Sequence, residues 1–215
     1  MHPDAPPQNR QEVAGAQEGL HKENNTMKCD IVLAGVGGQG ILTIAAILGK
    51  VAVAEKLHVK QSEIHGMSQR GGSVFAHLRL SDKPIFADQI TAGAADLVVA
   101  MEPMEALRHR QLLADTGPLI TAHAPVVNIP DYPDADRLVK DIKALKHALV
   151  LDTAALAKES GNPRNTNIVL LGAIANFLGL EPEIIEKAIR EHFARKGDSV
   201  VDAALRAFRL GKDAK

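Results

Sequence analysis

The sequence predicts an α/β fold: a Rossmann-like, mainly parallel sheet covered by helices on both faces, with a helical C-terminal layer. Three observations carry this. The stretch Cys29 to Gly40, CDIVLAGVGGQG, places the apolar run Ile31–Leu33 before a cluster of glycines and then the periodic segment Ile41 to Val53, in the order strand, tight turn, helix. Short apolar runs of strand length then alternate with amphipathic segments, which builds a parallel sheet. The last third is continuously helical in pattern.

Each element has its own signal. Gly35 and Gly37 can take φ > 0 and open the backbone to a neighbouring group, while Gly40 lets the helix pack closely on the strand. Ile41, Leu42, Ile44, Ala45, Ile47, Leu48 and Val51 recur at helical spacing. Leu57 to Ile64 reads as the second strand and Val74 to Leu80 as the third, with Ser81 and Asp82 marking a turn and Pro84 to Phe86 a further short strand. Leu97 to Met101 is an apolar strand, followed by a helix from Met104 to Ala114 with Glu105 early and Arg108, His109 and Arg110 late, matching the helix dipole. Leu119 to Ala122 and Ala148 to Leu151 are strands, separated by the proline-rich loop 125–133 and a helix from Asp134 to Leu145. Asp152 and Thr153 cap a helix to Ser160. Thr166 to Leu178 is helical and apolar, Pro182 opens a helix to Phe193, and Ser199 caps a final helix to Leu210.

Composition narrows the function classes. With 215 residues, 46% of them hydrophobic and 24% charged, the chain can bury a full core. We expect residues 1–26, rich in Pro, Gln, Glu and Asn, to form a flexible tail, and residues 27–215 to form one α/β domain. A net charge of −1 and the lack of any basic cluster argue against nucleic-acid or membrane-surface binding. No stretch reaches the roughly 18 apolar residues of a membrane span, and the first residues lack the apolar core of a secretory signal. The single cysteine, Cys29, offers no intrachain disulfide and too few thiolates for an iron–sulfur cluster. The cytoplasm is therefore the default compartment.

Two stretches carry candidate chemistry. The first is the turn Gly35, Gly37, Gly38, Gln39 and Gly40, whose following helix presents free N–H groups suited to an anion. The second is SEIHGMSQRGGS, residues 62–73, which sets Glu63, His65, Ser68, Gln69 and Arg70 beside Gly71 and Gly72, after the second strand, where open α/β sheets present ligand crevices. A planar guanidinium next to Cβ-free backbone suits a carboxylate or phosphate. The same loop also reads as a plain solvated hairpin connection. Both stretches should lie side by side at the C-terminal edges of neighbouring strands. Glu63 stands 23 residues after Gly40, near the spacing of a ribose-binding acid, which keeps open a self-sufficient NAD(P)-binding oxidoreductase or a nucleotide-binding regulatory module. His58, His65 and His77 form no metal-ligand spacing. We assign no metal site and no catalytic residue, since there is no nucleophile elbow, Walker lysine or paired cysteine.

At AGVGGQG and SEIHGMSQRGGSVFAHLR the chain resembles the small (gamma-type) subunit of the 2-oxoacid:ferredoxin oxidoreductases. Ile64, His65, Gly66, Met67, Ser68 and Gln69 fit its indolepyruvate branch rather than the pyruvate branch. The resemblance runs from Met27 to about Ala207 and includes NIVLLG, Asn167 to Gly172. It implies a subunit of a heteromeric oxidoreductase that converts an aryl 2-oxo acid, such as indolepyruvate, to an acyl-CoA and reduces ferredoxin. Thiamine diphosphate and the iron–sulfur clusters would sit on a large alpha subunit. This chain would carry no cofactor of its own, consistent with its lack of a thiamine motif and of cluster cysteines, and the isolated subunit would be inactive.

Overall fold

The computed structural model describes residues 26–66 and 71–214. Six strands form one sheet: β1 (Lys28–Val36), β2 (His58–His65), β3 (Ser73–Ser81), β4 (Leu97–Ala100), β5 (Leu119–Ala122) and β6 (Ala148–Leu151), in the order β2-β3-β1-β4-β5-β6. Among the described residues there are seven α-helices: α1 (Ile41–Ala54), α2 (Pro103–His109), α3 (Ala135–Lys143), α4 (Thr153–Glu159), α5 (Thr166–Ile174), α6 (Pro182–Phe193) and α7 (Asp198–Asp213).

The sheet is mainly parallel, as expected, with one exception. β3 runs opposite to the other five strands and is inserted between β2 and β1, pairing antiparallel with both. β2 and β3 are thus an antiparallel pair, and the second strand of the chain becomes the edge of the sheet. This placement also removes the strand expected at Pro84 to Phe86. With β3 flanked on both sides, residues 82–96 run as an irregular strap. The strap is tied down by Arg79 Nη1, which donates to the carbonyls of Ala87 (3.2 Å) and Gln89 (3.3 Å), and by Ile90 N–H, which donates to His77 Nδ1 (3.0 Å). Arg79 also grips Asp30 at 2.8 and 2.9 Å.

β1 is buried on both sides, and its alternation divides the core. Ile31 and Leu33 face α1, α5, α6 and α7, while Val32 and Ala34 face the side covered by α2 and α3. The C-terminal helical layer is packed closely. A Cβ built on Gly172 of α5 would lie 2.0 Å from the Phe208 carbonyl oxygen of α7, and one on Gly211 of α7 would lie 1.9 Å from that of Val169.

Several boundaries differ from the sequence reading. α2 ends at His109 and tightens into a 3-10 turn at Arg110–Leu112, and α5 ends at Ile174 in a similar turn at Ala175–Phe177. α7 is capped by Gly197, at φ +93°, with Asp198 and Ser199 already in its first turn. Asp152 does cap α4, accepting from Ala155 N–H at 2.9 Å. Among the described residues no helix is long and apolar enough to cross a membrane.

Candidate functional site

The two sequence-marked stretches meet at one edge of the sheet. Gly37 N–H donates to Gly72 O (2.8 Å), and Gly71 N–H donates to Gly37 O (3.2 Å), extending the β1–β3 ladder by one step past the Val36–Ser73 pair. They lie side by side, but β1 and β2, at whose C-terminal ends they stand, are not neighbouring strands. The loop reaches the glycine turn because β3 pairs directly with β1.

The turn has a different internal logic from the one expected. Gly35 belongs to β1, and the positive φ values fall on Gly38 (+104°) and Gly40 (+86°). A Cβ on Gly35 would sit 3.0 Å from both Gln39 Oε1 and Met101 Cβ, so its glycine serves close approach within the sheet edge. Gln39 turns inward as a bracket: its Oε1 accepts from Val36 N–H at 2.7 Å and its Nε2 donates to Met101 O at 3.1 Å, joining the ends of β1 and β4. Gly40 faces α5, not the strand. A Cβ there would lie 2.7 Å from Asn167 Nδ2, which donates to Gly40 O at 3.1 Å.

A cleft of about 430 Å³ opens beside the turn, lined by Val36, Gly37, Gly38, Gly40, Ile41, Leu42, Glu63, His65 and Val74. Ile41, Leu42 and the buried Val74 give it apolar lining, and no side chain caps the N-terminus of α1 beside it. Opposite stand Glu63 and His65, which alternate onto one side of β2 and are exposed. His65 Nδ1 lies 2.9 Å from Gly66 O. Gly37 lines the cleft as its lip, and Gly71 and Gly72 are hydrogen-bonded to it through its N–H and carbonyl. Ser68, Gln69 and Arg70 lie outside the described residues. Chemically, this cleft offers helix N–H groups, a carboxylate, an imidazole and apolar side chains, which fits a ligand with both polar and apolar parts.

Glu63 does not occupy the position of a ribose-binding acid. That role belongs to the strand next to β1, whereas β2 stands two strands away, about 9–10 Å at the usual spacing. The insertion of β3 therefore removes the geometric basis of the dinucleotide reading.

Beneath the lip lies a polar cluster that sequence reasoning passed over. Glu102, Glu105 and His109 are buried. Glu102 caps α2, with Oε1 accepting from Glu105 N–H at 2.7 Å and Oε2 accepting from Tyr132 O–H at 2.5 Å. Glu105 Oε2 accepts from Ser73 Oγ at 2.6 Å and lies 3.4 Å from His109 Nε2, beyond good hydrogen-bond length, while Arg108 Nη1 stands 3.6 Å from Oε1. Burial alone would raise the Glu105 pKa; the nearby His109 imidazole, the Ser73 hydroxyl and the Arg108 charge outweigh it and hold the carboxyl below its ordinary value. Asn128, from the loop after β5, donates from Nδ2 to Gly71 O at 2.7 Å. In the sequence Glu105 stood only as an early acid matching the dipole of a helix from Met104 to Ala114, and nothing local marked it as buried.

Cys29 is buried in β1, and burial followed by the Asp96 and Asp30 charges pushes its thiol up, away from reactivity. Among the described residues, no group of three His, Cys, Asp or Glu side chains is placed to hold a metal ion.

The fold is that of the oxoacid oxidoreductase gamma subunits. It superposes on the keto/oxoacid ferredoxin oxidoreductase gamma subunit from Geobacter sulfurreducens with a TM-score of 0.63 at 24% identity, covering 85% of this chain and 95% of that one. It also matches the 2-oxoglutarate:ferredoxin oxidoreductase from Magnetococcus marinus with a TM-score of 0.67 at 21% identity, over 86% of this chain but only 30% of that longer chain. Residues 30–214 match the family described as pyruvate ferredoxin/flavodoxin oxidoreductase, and the chain belongs to that family. It is 36% identical over 192 residues to the indolepyruvate oxidoreductase subunit IorB of Thermococcus kodakarensis, covering 85% of this chain and 93% of that one. It is 33% identical over 179 residues to the pyruvate/ketoisovalerate oxidoreductases common subunit gamma of Pyrococcus furiosus, covering 81% and 92%.

Proposed function

We propose that this chain is the small subunit of a 2-oxoacid:ferredoxin oxidoreductase of the indolepyruvate type. The observation that carries the reading is the 36% identity to an indolepyruvate oxidoreductase subunit across nearly the whole length of both chains. The segment Ile64 to Gln69 supports the same branch. On this reading a large alpha subunit holds thiamine diphosphate and the iron–sulfur clusters, decarboxylates an aryl 2-oxo acid, passes two electrons to ferredoxin and releases an acyl-CoA. The present chain completes the assembly in the cytoplasm.

Its own contribution is a surface. The glycine turn and the loop 62–73 form one edge, which faces the large subunit and the CoA or thiamine side of the complex. Glu63, His65 and the α1 N-terminus offer polar groups there, and Arg70, with Ser68 and Gln69, adds donors by its chemistry in the sequence.

Co-expression with the large subunit, followed by a dye-reduction assay dependent on both 2-oxo acid and CoA, tests the reading. We expect activity in the complex and none in either chain alone, with indolepyruvate turned over faster than pyruvate. Failure of the two chains to co-purify, or activity of this chain alone with NAD(P), would overturn it.

A further inference from the structure

Glu105 is an expensive residue for its position. It is fully buried on the inner side of α2, where an apolar side chain would pack without desolvating a charge, and its Oε1 has no hydrogen-bond partner. A buried carboxylate held in this way needs a use for its acceptor.

The use lies at Ser73. This residue opens β3, pairs with Val36, and directly follows Gly71 and Gly72, which hydrogen-bond to Gly37. Its hydroxyl donates to Glu105 Oε2 at 2.6 Å. Glu105 is aimed from below by partners on its own helix, with Arg108 and His109 one turn on, and His109 in turn lies against the Phe75 ring of β3 at 4.3 Å. From the other side, Asn128 holds Gly71 O. The lip of the cleft is thus fixed at two points, Gly71 and Ser73, and Gly37 follows both through the ladder.

We propose that Glu105 and Ser73 are positioning residues: their hydrogen bond sets the Gly71–Ser73 segment and, through it, the Gly37 lip of the cleft. Neither side chain lines the cleft itself. They act through backbone that does. The consequence for turnover rests on the subunit reading above, whereas the positional effect does not.

The experiment has two arms. In the full chain alone, amide hydrogen exchange is read for Gly37 and Gly71 against the β4–β5 ladder. Ser73→Ala, which removes the donor, and Glu105→Leu, which removes the acceptor without leaving a buried charge, should each speed Gly37 and Gly71 exchange at least tenfold and leave β4–β5 unchanged. Ser73→Thr should restore protection, and the double variant should exceed neither single one. In the co-expressed complex, Ser73→Ala should raise KM for CoA or for the 2-oxo acid at least fivefold with kcat within twofold of wild type, again rescued by Ser73→Thr. Unchanged Gly37 and Gly71 exchange in Ser73→Ala, or a uniform acceleration across the sheet, overturns the proposal, as does unchanged KM in an active complex. An inactive wild-type complex counts against the functional reading alone, and the exchange arm still decides the positional effect. If Glu105→Leu does not fold, Ser73→Ala and its threonine rescue carry the test.

Discussion

Asn167 Nδ2 donates to the carbonyl of Gly40, joining residues 127 positions apart and fastening the N-terminus of α5 to the start of α1. Its Oδ1 lies 3.0 Å from Ile168 N, so both ends of the amide are engaged. Asn167→Ala should cost about 1–2 kcal/mol, because a buried pair is broken. Gly40→Ala should cost about 1–3 kcal/mol from backbone strain at φ +86°, in addition to the collision with Asn167. Combining the two should cost less than their sum, since the smaller side chain relieves the collision but not the strain. Urea denaturation of the three variants measures this.

Glycines in the helices separate into two kinds. Gly172→Ala and Gly211→Ala each drive a methyl into a facing helix backbone at about 2 Å, and each should lose at least ~3 kcal/mol, the upper end of overpacking penalties, because two helices must part. Gly49, inside α1, has nothing within 4 Å of a built Cβ. Gly49→Ala should stabilise the chain by about 0.5–1 kcal/mol through its helix propensity. Thermal melts of the three variants should move in opposite directions.

His77 is an acceptor in the fold. Its Nδ1 takes the Ile90 N–H at 3.0 Å, which holds the strap 82–96 against β3 and requires that nitrogen to be unprotonated. Burial first, then the neighbouring His109 and Arg79 charges, lower its pKa below the ordinary 6.5, against an opposing pull from Asp88. With the folded value depressed, the unfolded chain binds the extra proton. The contribution of His77 is therefore complete above pH 6.5 and lost as pH falls toward the folded value. Between pH 7 and 5.5 the wild type should lose more stability than His77→Asn, whose amide oxygen accepts without titrating. Denaturant titrations at the two pH values check the difference, and equal slopes would count against it.

The legible part of the molecule was what local chemistry and periodicity specify. Ile31–Leu33, the glycines that follow and the spacing Ile41–Val51 define a strand, a turn and a helix wherever the chain later places them, and short apolar strands alternating with helices already implied a sheet covered on both faces. The turn and the loop 62–73 stood out because glycines and clustered polar groups between apolar runs are readable without neighbours. Strand order was not. The same β2–loop–β3 sequence is consistent with a hairpin on either edge of the sheet, and only pairing energies between distant strands insert β3 between β2 and β1. That insertion set β2, which carries Glu63, two strands from β1 and brought Gly72 to Gly37. Burial of charge was also hidden. Glu105 and Glu63 look alike in sequence, yet the first is enclosed beneath the lip with Ser73 and His109, and the second is open to solvent at the sheet edge, because burial depends on what packs above a residue and not on the residue itself.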